Sequence, residues 1–341
     1  MRSFICLSVC LALAVVTGCL YRPVASAPTM VKRSQMLMGT LVFVTAVAGD
    51  VPTAQQAAAD ALKEVRRLEE LLSTWIPTSE LSHLNDAAGR EPVKVSRDTM
   101  QVLTRSLQVA QLTEGGFNIA VGPAVQAWSV TEQSNIPSQE QLDRLFPLVD
   151  LSALLLDDAM GTAYLMLAGM RVDVGGIGKG FAADRAVEAM RAAGATGGVV
   201  ALSGDIKTFG RMPDGETFLF GIQHPRKETT LLATIELHDE AISTAGDYER
   251  FFERDGVRYH HILDPRTLQP ARECQSVTVI AKEGVMADGL DTGIFVMGPK
   301  RGMELVERLP DVEAVIVDRD GAILVSSGLK ARVQFTDSTN K

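Results

Sequence analysis

In the stretch ADGLDTG (287–293), Asp288, Asp291 and Thr292 fall at i, i+3 and i+4, so on a helix their side chains share one face. Two carboxylates and a hydroxyl are hard oxygen ligands, a set that suits Mg²⁺ or Ca²⁺ and not zinc. The segment runs on into the apolar IFVMG, and two neighbouring carboxylates beside a core repel each other unless a cation or a proton intervenes. A solvated helix face, with Asp288 as a cap, is the other reading these residues leave open.

A second stretch, DVGGIGKG (173–180), invites comparison with phosphate-binding loops. It fails the Walker A pattern, because Asp173 and Gly180 stand where the first glycine and the Ser or Thr are needed. It fails the dinucleotide fingerprint too, since Phe181 stands where a third glycine is required after Gly176 and Gly178. What remains is a strand ending in Asp173, a glycine turn whose backbone can approach a ligand closely, and Lys179 at the mouth of a helix. A tight structural turn with a solvated lysine explains the glycines equally well.

The third stretch is HHILDPRTLQPA (260–271), which holds two of the five histidines on a segment stiffened by Pro265 and Pro270. His261 can carry a proton near neutral pH, with Asp264 three residues on either as its partner or as part of a turn with Pro265. Upstream, the small residues Ser243, Thr244, Ala245 and Gly246 read as a turn that presents backbone N–H groups, with Arg250 close in sequence.

The elements that must hold these residues alternate between helix and strand. LVFVTAVAG (41–49) alternates as a strand, and 51–73 has helical spacing with Pro52 near its start. Further helices are predicted over 96–113, 182–193, 285–297 and 299–308. GGVVAL (197–202), LLATIELHD, SVTVIAK, VEAVIVD and AILVSS read as strands. Strands occur both in runs and separated by helices, which predicts an α+β fold with mixed sheets.

Composition bounds the rest. With 341 residues, 46% hydrophobic and 22% charged, the chain has the balance of a folded globular protein. A net charge of −9 without a basic run argues against a nucleic-acid partner, because phosphate backbones are bound by clustered Lys and Arg. At the N-terminus, Arg2 precedes an apolar run from Phe4 to Val16, too short to span a bilayer and suited to a signal peptide. The run ends in Val16-Thr17-Gly18-Cys19, which resembles a bacterial lipobox with Cys19 lipidated after cleavage. Cys6 and Cys10 leave with such a signal, so Cys274 alone remains in the body and forms no internal disulfide. The expected organisation is a signal at 1–18, a Pro- and Ala-rich tether at 19–34 and one folded domain at 35–341.

The ordered blocks MGT (38–40), GGFNIAVGPAVQAW (115–128), DVGGIGKGFAADRA (173–186), SGDIKTFG (203–210), STAGDYERFF (243–252), HILDPRT (261–267) and ADGLDTGIFVMG (287–298) together resemble the ApbE family of FAD:protein FMN transferases. The resemblance runs from about Met36 to Gly328 and implies an ApbE-like, T-fold-like architecture of largely antiparallel sheets flanked by helices. It also implies Mg²⁺-dependent transfer of FMN from FAD, as substrate, to a threonine hydroxyl of a target protein, with release of AMP. By the same resemblance, Asp288, Asp291, Thr292 and the carbonyl of Gly176 are metal ligands. Met38, Gly116, Phe117, Asn118, Asp173, Lys179 and Ile262 contact FAD, and His261 is the catalytic histidine. Its usual acceptors are subunits of Rnf- or Nqr-type redox complexes, and its members are often lipoproteins on the periplasmic face of a bacterial membrane.

The chain departs from the family pattern in three places. Asn118 stands where an aspartate is common, Ala245 where a serine is frequent, and Ser203-Gly204 where paired glycines are common. Two rival functions share most of the same residues. A Mg²⁺-dependent FAD pyrophosphatase would use water in place of threonine, and a non-catalytic FAD-binding lipoprotein would need the nucleotide contacts but not a complete metal site.

Overall fold

The computed structural model describes residues 27–336; the expected signal peptide, Cys19 and the tether as far as residue 26 lie outside them. The chain opens with β1 (Thr29–Leu37) and β2 (Thr40–Ala48), followed by α1 (Val51–Leu72), α2 (Glu80–Asp86), β3 (Val93–Lys94) and α3 (Arg97–Leu112). Then come α4 (Gly122–Trp128), α5 (Gln139–Leu145), β4 (Leu154–Asp157), β5 (Thr162–Leu165) and α6 (Gly178–Ala192). The strands β6 (Gly197–Leu202), β7 (Asp205–Phe209), β8 (Phe218–Gln223), β9 (Leu231–Leu237) and β10 (Ala241–Gly246) lead into β11 (Phe251–Arg254), β12 (Val257–His260) and β13 (Cys274–Ala281). The described chain closes with α7 (Gly284–Met297), α8 (Pro299–Val306), β14 (Val312–Asp318), β15 (Ile323–Val325) and β16 (Gln334–Phe335).

The organising element is an eight-stranded sheet in the order β1-β2-β6-β7-β10-β13-β14-β15, and every pairing within it is antiparallel. The fold is thus α+β with antiparallel sheets, as the sequence predicts. One face of the sheet carries α1, α6 and α7, which pack side by side and bury one continuous core. Against part of the other face lies a small sheet in the order β16-β9-β8, where Ile222, Leu232, Ile235 and Leu237 meet Ile242, Ile280 and Val315. Strand alternation therefore decides which side chains of β10 look toward the helices: Ile242 joins the small sheet's cluster, while Ala241 and Ala245 join the helical core.

Local chemistry explains why the helices start where they do. Asp50 caps α1 by accepting from Thr53 N at 2.9 Å, Pro52 fits the first turn, and Ala54, Ala57, Ala58, Ala61, Leu62, Val65 and Leu68 form its buried stripe. Ser96 and Thr113 flank α3 as its caps, where sequence placed them inside the helix. In α7 nearly every residue is buried, including Asp288 and Asp291, so its carboxylates are held inside the fold.

Four expectations change. Residues 29–34, expected to belong to the tether, form most of β1, because Thr29 to Ser34 pair in register with Ala48 to Phe43. The segment RVDV before the glycine turn is extended but joins no sheet. Its backbone bonds are met by the Asn85 side chain, which donates to Val172 O at 3.0 Å and accepts from Val172 N at 2.7 Å, and by Ile119 O, which accepts from Asp173 N. Ser243 to Gly246 belong to the central strand β10, paired in register with Val279 to Ser276 of β13, and are not a turn. Finally, α6 begins at Gly178, four residues before its expected start, so Lys179 sits in the first turn of the helix.

Candidate active site

The N-terminal ends of α6 and α7 approach so closely that only glycine fits at the contact. A Cβ on Gly180 would stand 2.1 Å from Gly284 O, and one on Gly284 would stand 2.6 Å from Gly180 O. Asp184 of α6 then caps α7 by accepting from Gly284 N at 2.7 Å and Val285 N at 2.9 Å. Burial lifts the Asp184 carboxyl to about 6, against the pull of those two N–H groups.

One turn into α7, Asp288 accepts from Gly180 N at 2.8 Å. Asp291 accepts from the Ser243 hydroxyl at 2.6 Å and from Thr292 Oγ1 at 3.1 Å. Asp205, at the start of β7, ion-pairs with Lys179 and accepts from Ser243. Oxygens of Asp205, Asp288 and Asp291 lie within 4.8 Å of one another, all three residues being buried.

Three buried carboxylates share the single ammonium of Lys179. Burial, then the charge of Asp205, raises Asp288 well above the carboxylate range; burial, then Asp288 and Asp205, raises Asp291 as well. For Lys179 burial works against the charge, but Asp205, Asp288 and Asp291 outweigh it and hold the ammonium protonated. Such an excess of buried negative charge, offered by hard oxygen donors, fits a divalent cation such as Mg²⁺. The backbone of Gly176 lies against the same point, since a Cβ there would be 3.0 Å from Thr292 Oγ1. Asp288, Asp291, Thr292, Gly176 and Lys179 are thus brought together in space.

Asp205 and Ser243 were missed. Ser243 hid in a stretch read as a turn, and Asp205 follows the Ser203-Gly204 turn between β6 and β7, where an acidic residue resembles ordinary turn chemistry. Only the pairing of β7 with β10 beneath α7 reveals that they face the helix carboxylates.

His261 is half-buried, and its ring nitrogen Nδ1 lies 3.3 Å from Arg250 O. A carbonyl only accepts, so Nδ1 carries the proton and Nε2 is left with its lone pair. Burial, then the positive charge of Arg250, then His260 and Lys179 lower the imidazole to about 3. The influence of Lys179 ties this loop to the carboxylate cluster, and that of Arg250 ties it to Asp173, whose raised carboxyl it opposes. Asp264 is not the partner of His261: its carboxylate forms a paired contact with Arg266 at 2.8 Å from each oxygen.

The loop is braced from below. Ile262 enters the main core, whereas Leu263 and Leu268 enter a satellite cluster with Trp128, Leu142 and Val149. Trp128 Nε1 donates to Leu268 O at 2.7 Å. His260 is fully enclosed, donating through Nε2 to Ala271 O at 2.7 Å and accepting from Ile262 N through Nδ1.

The remaining predicted FAD contacts are scattered in role. Asp173 accepts from Gly175 N and shapes the glycine turn. Gly116 and Phe117 pack against α7, where a Cβ on Gly116 would be 2.7 Å from Gly293 O. Asn118 has both ends of its amide engaged, accepting from Ala120 N at 2.7 Å and donating to Val149 O at 3.0 Å. Met38 lies at the tip of the β1–β2 hairpin with φ +51°, next to Gly39 at +69°, and its N–H donates to Glu69 of α1 at 2.6 Å. Positive φ at both central residues is the I′ geometry of a two-residue hairpin, an uncommon state for methionine. Among the described residues, no hydrogen bond joins Met38, Asn118 or Ile262 directly to the carboxylate cluster.

Comparison with known proteins adds a consistent finding. A model of the ApbE family matches residues 38–316. The FAD:protein FMN transferase of Treponema pallidum is 35% identical over 327 residues, covering 90% of this chain and 89% of that protein. That of Klebsiella pneumoniae is 29% identical over 89% of this chain and 94% of its own length. Among solved structures, the ApbE protein of Thermotoga maritima superposes with a TM-score of 0.83 at 31% identity, over 89% of this chain and 99% of that one. The flavin transferase ApbE of Vibrio cholerae gives 0.80 at 29% identity over the same shares.

Proposed function

Because the chain belongs to the ApbE family, we propose that it is an FAD:protein FMN transferase that moves FMN from FAD to a threonine hydroxyl of an acceptor protein and releases AMP. The observation that carries this reading is the buried Asp205, Asp288 and Asp291 cluster with Lys179 at its edge. A site that neutralises and positions a pyrophosphate needs that combination of fixed cation and metal-binding oxygens.

In this reading Asp288, Asp291, Thr292 and the backbone of Gly176 hold Mg²⁺, which when bound supplies positive charge to offset that developing on the phosphates. Lys179, fixed in the first turn of α6 and held cationic by its carboxylates, binds phosphate oxygens. His261 accepts the threonine proton at Nε2, the nitrogen left free by the bond of Nδ1 to Arg250 O, and the negative charge of bound phosphates opposes that of Arg250 and Lys179 and strengthens the imidazole as a base. The threonine oxygen forms its bond to the FMN phosphorus as the bond from that phosphorus to the bridging oxygen breaks, and AMP leaves with the bridging oxygen. We further read Cys19 as a lipid anchor on the periplasmic face of a bacterial membrane, with subunits of Rnf- or Nqr-type complexes as acceptors.

The test is to incubate the protein with FAD, Mg²⁺ and a threonine-bearing acceptor domain, with and without EDTA, and weigh the acceptor by mass spectrometry. A Mg²⁺-dependent gain of one FMN less water, with AMP in solution, is expected. FMN and AMP in solution with an unchanged acceptor would replace the transferase by a pyrophosphatase, and intact bound FAD would replace it by a carrier.

A further inference from the structure

Ser243 has one hydroxyl hydrogen and stands within bonding distance of two carboxylates, Asp205 and Asp291. Two acceptors compete for one donor. The ammonium of Lys179 on the second oxygen of Asp205 biases that competition, because it already compensates Asp205 and leaves the hydroxyl for Asp291. Residue exposure is 1% at Ser243 and 4% at Asp205, so neither has water as a substitute partner.

From this chain of contacts we propose that Asp205 is a positioning residue, which couples the phosphate-binding ammonium of Lys179 to the metal-binding carboxylate of Asp291 through the hydroxyl of Ser243. The inference rests on the reading of Asp288, Asp291 and Thr292 as the metal site. It assigns Asp205 no direct contact with substrate. One of its oxygens is held by Lys179 and the other stands against the Ser243 hydroxyl oxygen, so its effect passes through those two partners. The topology is suited to this work. β7 and β10 are neighbours in the sheet with Ile206 paired to Ile242, so Asp205 and Ser243 are held by backbone register and not by flexible side chains.

The test uses the mature chain without FAD, with the rise in melting temperature on adding MgCl₂ as the readout of metal binding. Asp205→Asn and Ser243→Ala are each expected to move the Mg²⁺ midpoint up about tenfold, the loss of a buried bond to a charged group. The double variant is expected to move it no further than either single change, because both cut the same chain. In the transfer assay Asp205→Asn should lower kcat about tenfold or more with KM for FAD changed less than about threefold. Midpoints within twofold of wild type, or a double variant whose effect is the product of the two singles, would overturn the proposal. A lower melting temperature in EDTA with an unchanged midpoint would assign Asp205 a purely structural role and overturn it equally. If wild type itself showed no Mg²⁺ shift, the metal site would fall, and the inference with it.

Discussion

Gly180 and Asp288 meet backbone to side chain: the glycine N–H donates to the carboxylate at 2.8 Å, and a Cβ at position 180 would stand 2.7 Å from Asp288 Cβ. The contact that sets the crossing of α6 over α7 is therefore also the contact that fixes a proposed metal ligand. Replacing Gly180 by alanine forces the two helix ends apart, since Gly284 O blocks the same methyl group at 2.1 Å. The expected cost is about 2 kcal/mol or more in urea unfolding, with loss of transfer activity at temperatures where the protein is still folded.

Asp288→Ala removes one of the three buried carboxylates and the acceptor of Gly180 N. Loss of Mg²⁺-dependent transfer by at least about a hundredfold is expected, together with loss of the Mg²⁺-induced rise in melting temperature. Full transfer by this variant would remove the metal assignment.

The acid limb of the pH–rate profile is expected to belong to the carboxylates. Burial raises Asp288 and Asp291, so protons compete with the cation as pH falls toward and below neutrality. His261 stays neutral down to about 3, so it contributes no loss near its ordinary value. Raising Mg²⁺ should then shift the acid limb of kcat/KM to lower pH; a limb indifferent to Mg²⁺ would contradict this.

His261→Ala is expected to lower kcat between about a hundredfold and ten-thousandfold while FAD affinity changes only a few-fold. Isothermal titration with FAD beside steady-state rates separates the two quantities. Equal losses in affinity and rate would make His261 a binding group.

His260 sets a pH dependence of stability. Burial lowers the imidazole to about 4 in the folded chain, against about 6.5 when unfolded, so the unfolded state binds more protons between those values. Its contribution is present above pH 6.5 and is lost as pH falls toward 4, by roughly 3 kcal/mol at most. In His260→Gln the fall of stability over that window should be shallower than in wild type, measured by urea titration at pH 7, 5.5 and 4.5.

The sequence revealed long, strongly periodic elements and local chemistry. The i, i+3, i+4 spacing of Asp288, Asp291 and Thr292 on a helix carries its geometry within itself, and α1 and α3 were legible from their apolar spacing though the caps of α3 were not. Ser243 to Gly246 were misread because small residues signal turns, whereas in this chain they are small because a buried helix lies against the strand. RVDV was misread because nothing in its own residues shows that Asn85, 87 positions away, takes the hydrogen bonds a strand would supply. Asp205 shared that fate, since its role exists only across the pairing of β7 with β10.

The loop bearing His261 is anchored in two separate clusters, through Ile262 into the main core and through Leu263 and Leu268 into the small one around Trp128. Small clusters open at lower free energy than large ones. Heating should accordingly silence the enzyme before it unfolds: amides of the Trp128 cluster would exchange with solvent while those of β13 remain protected, and cooling would restore activity without any refolding of the sheet.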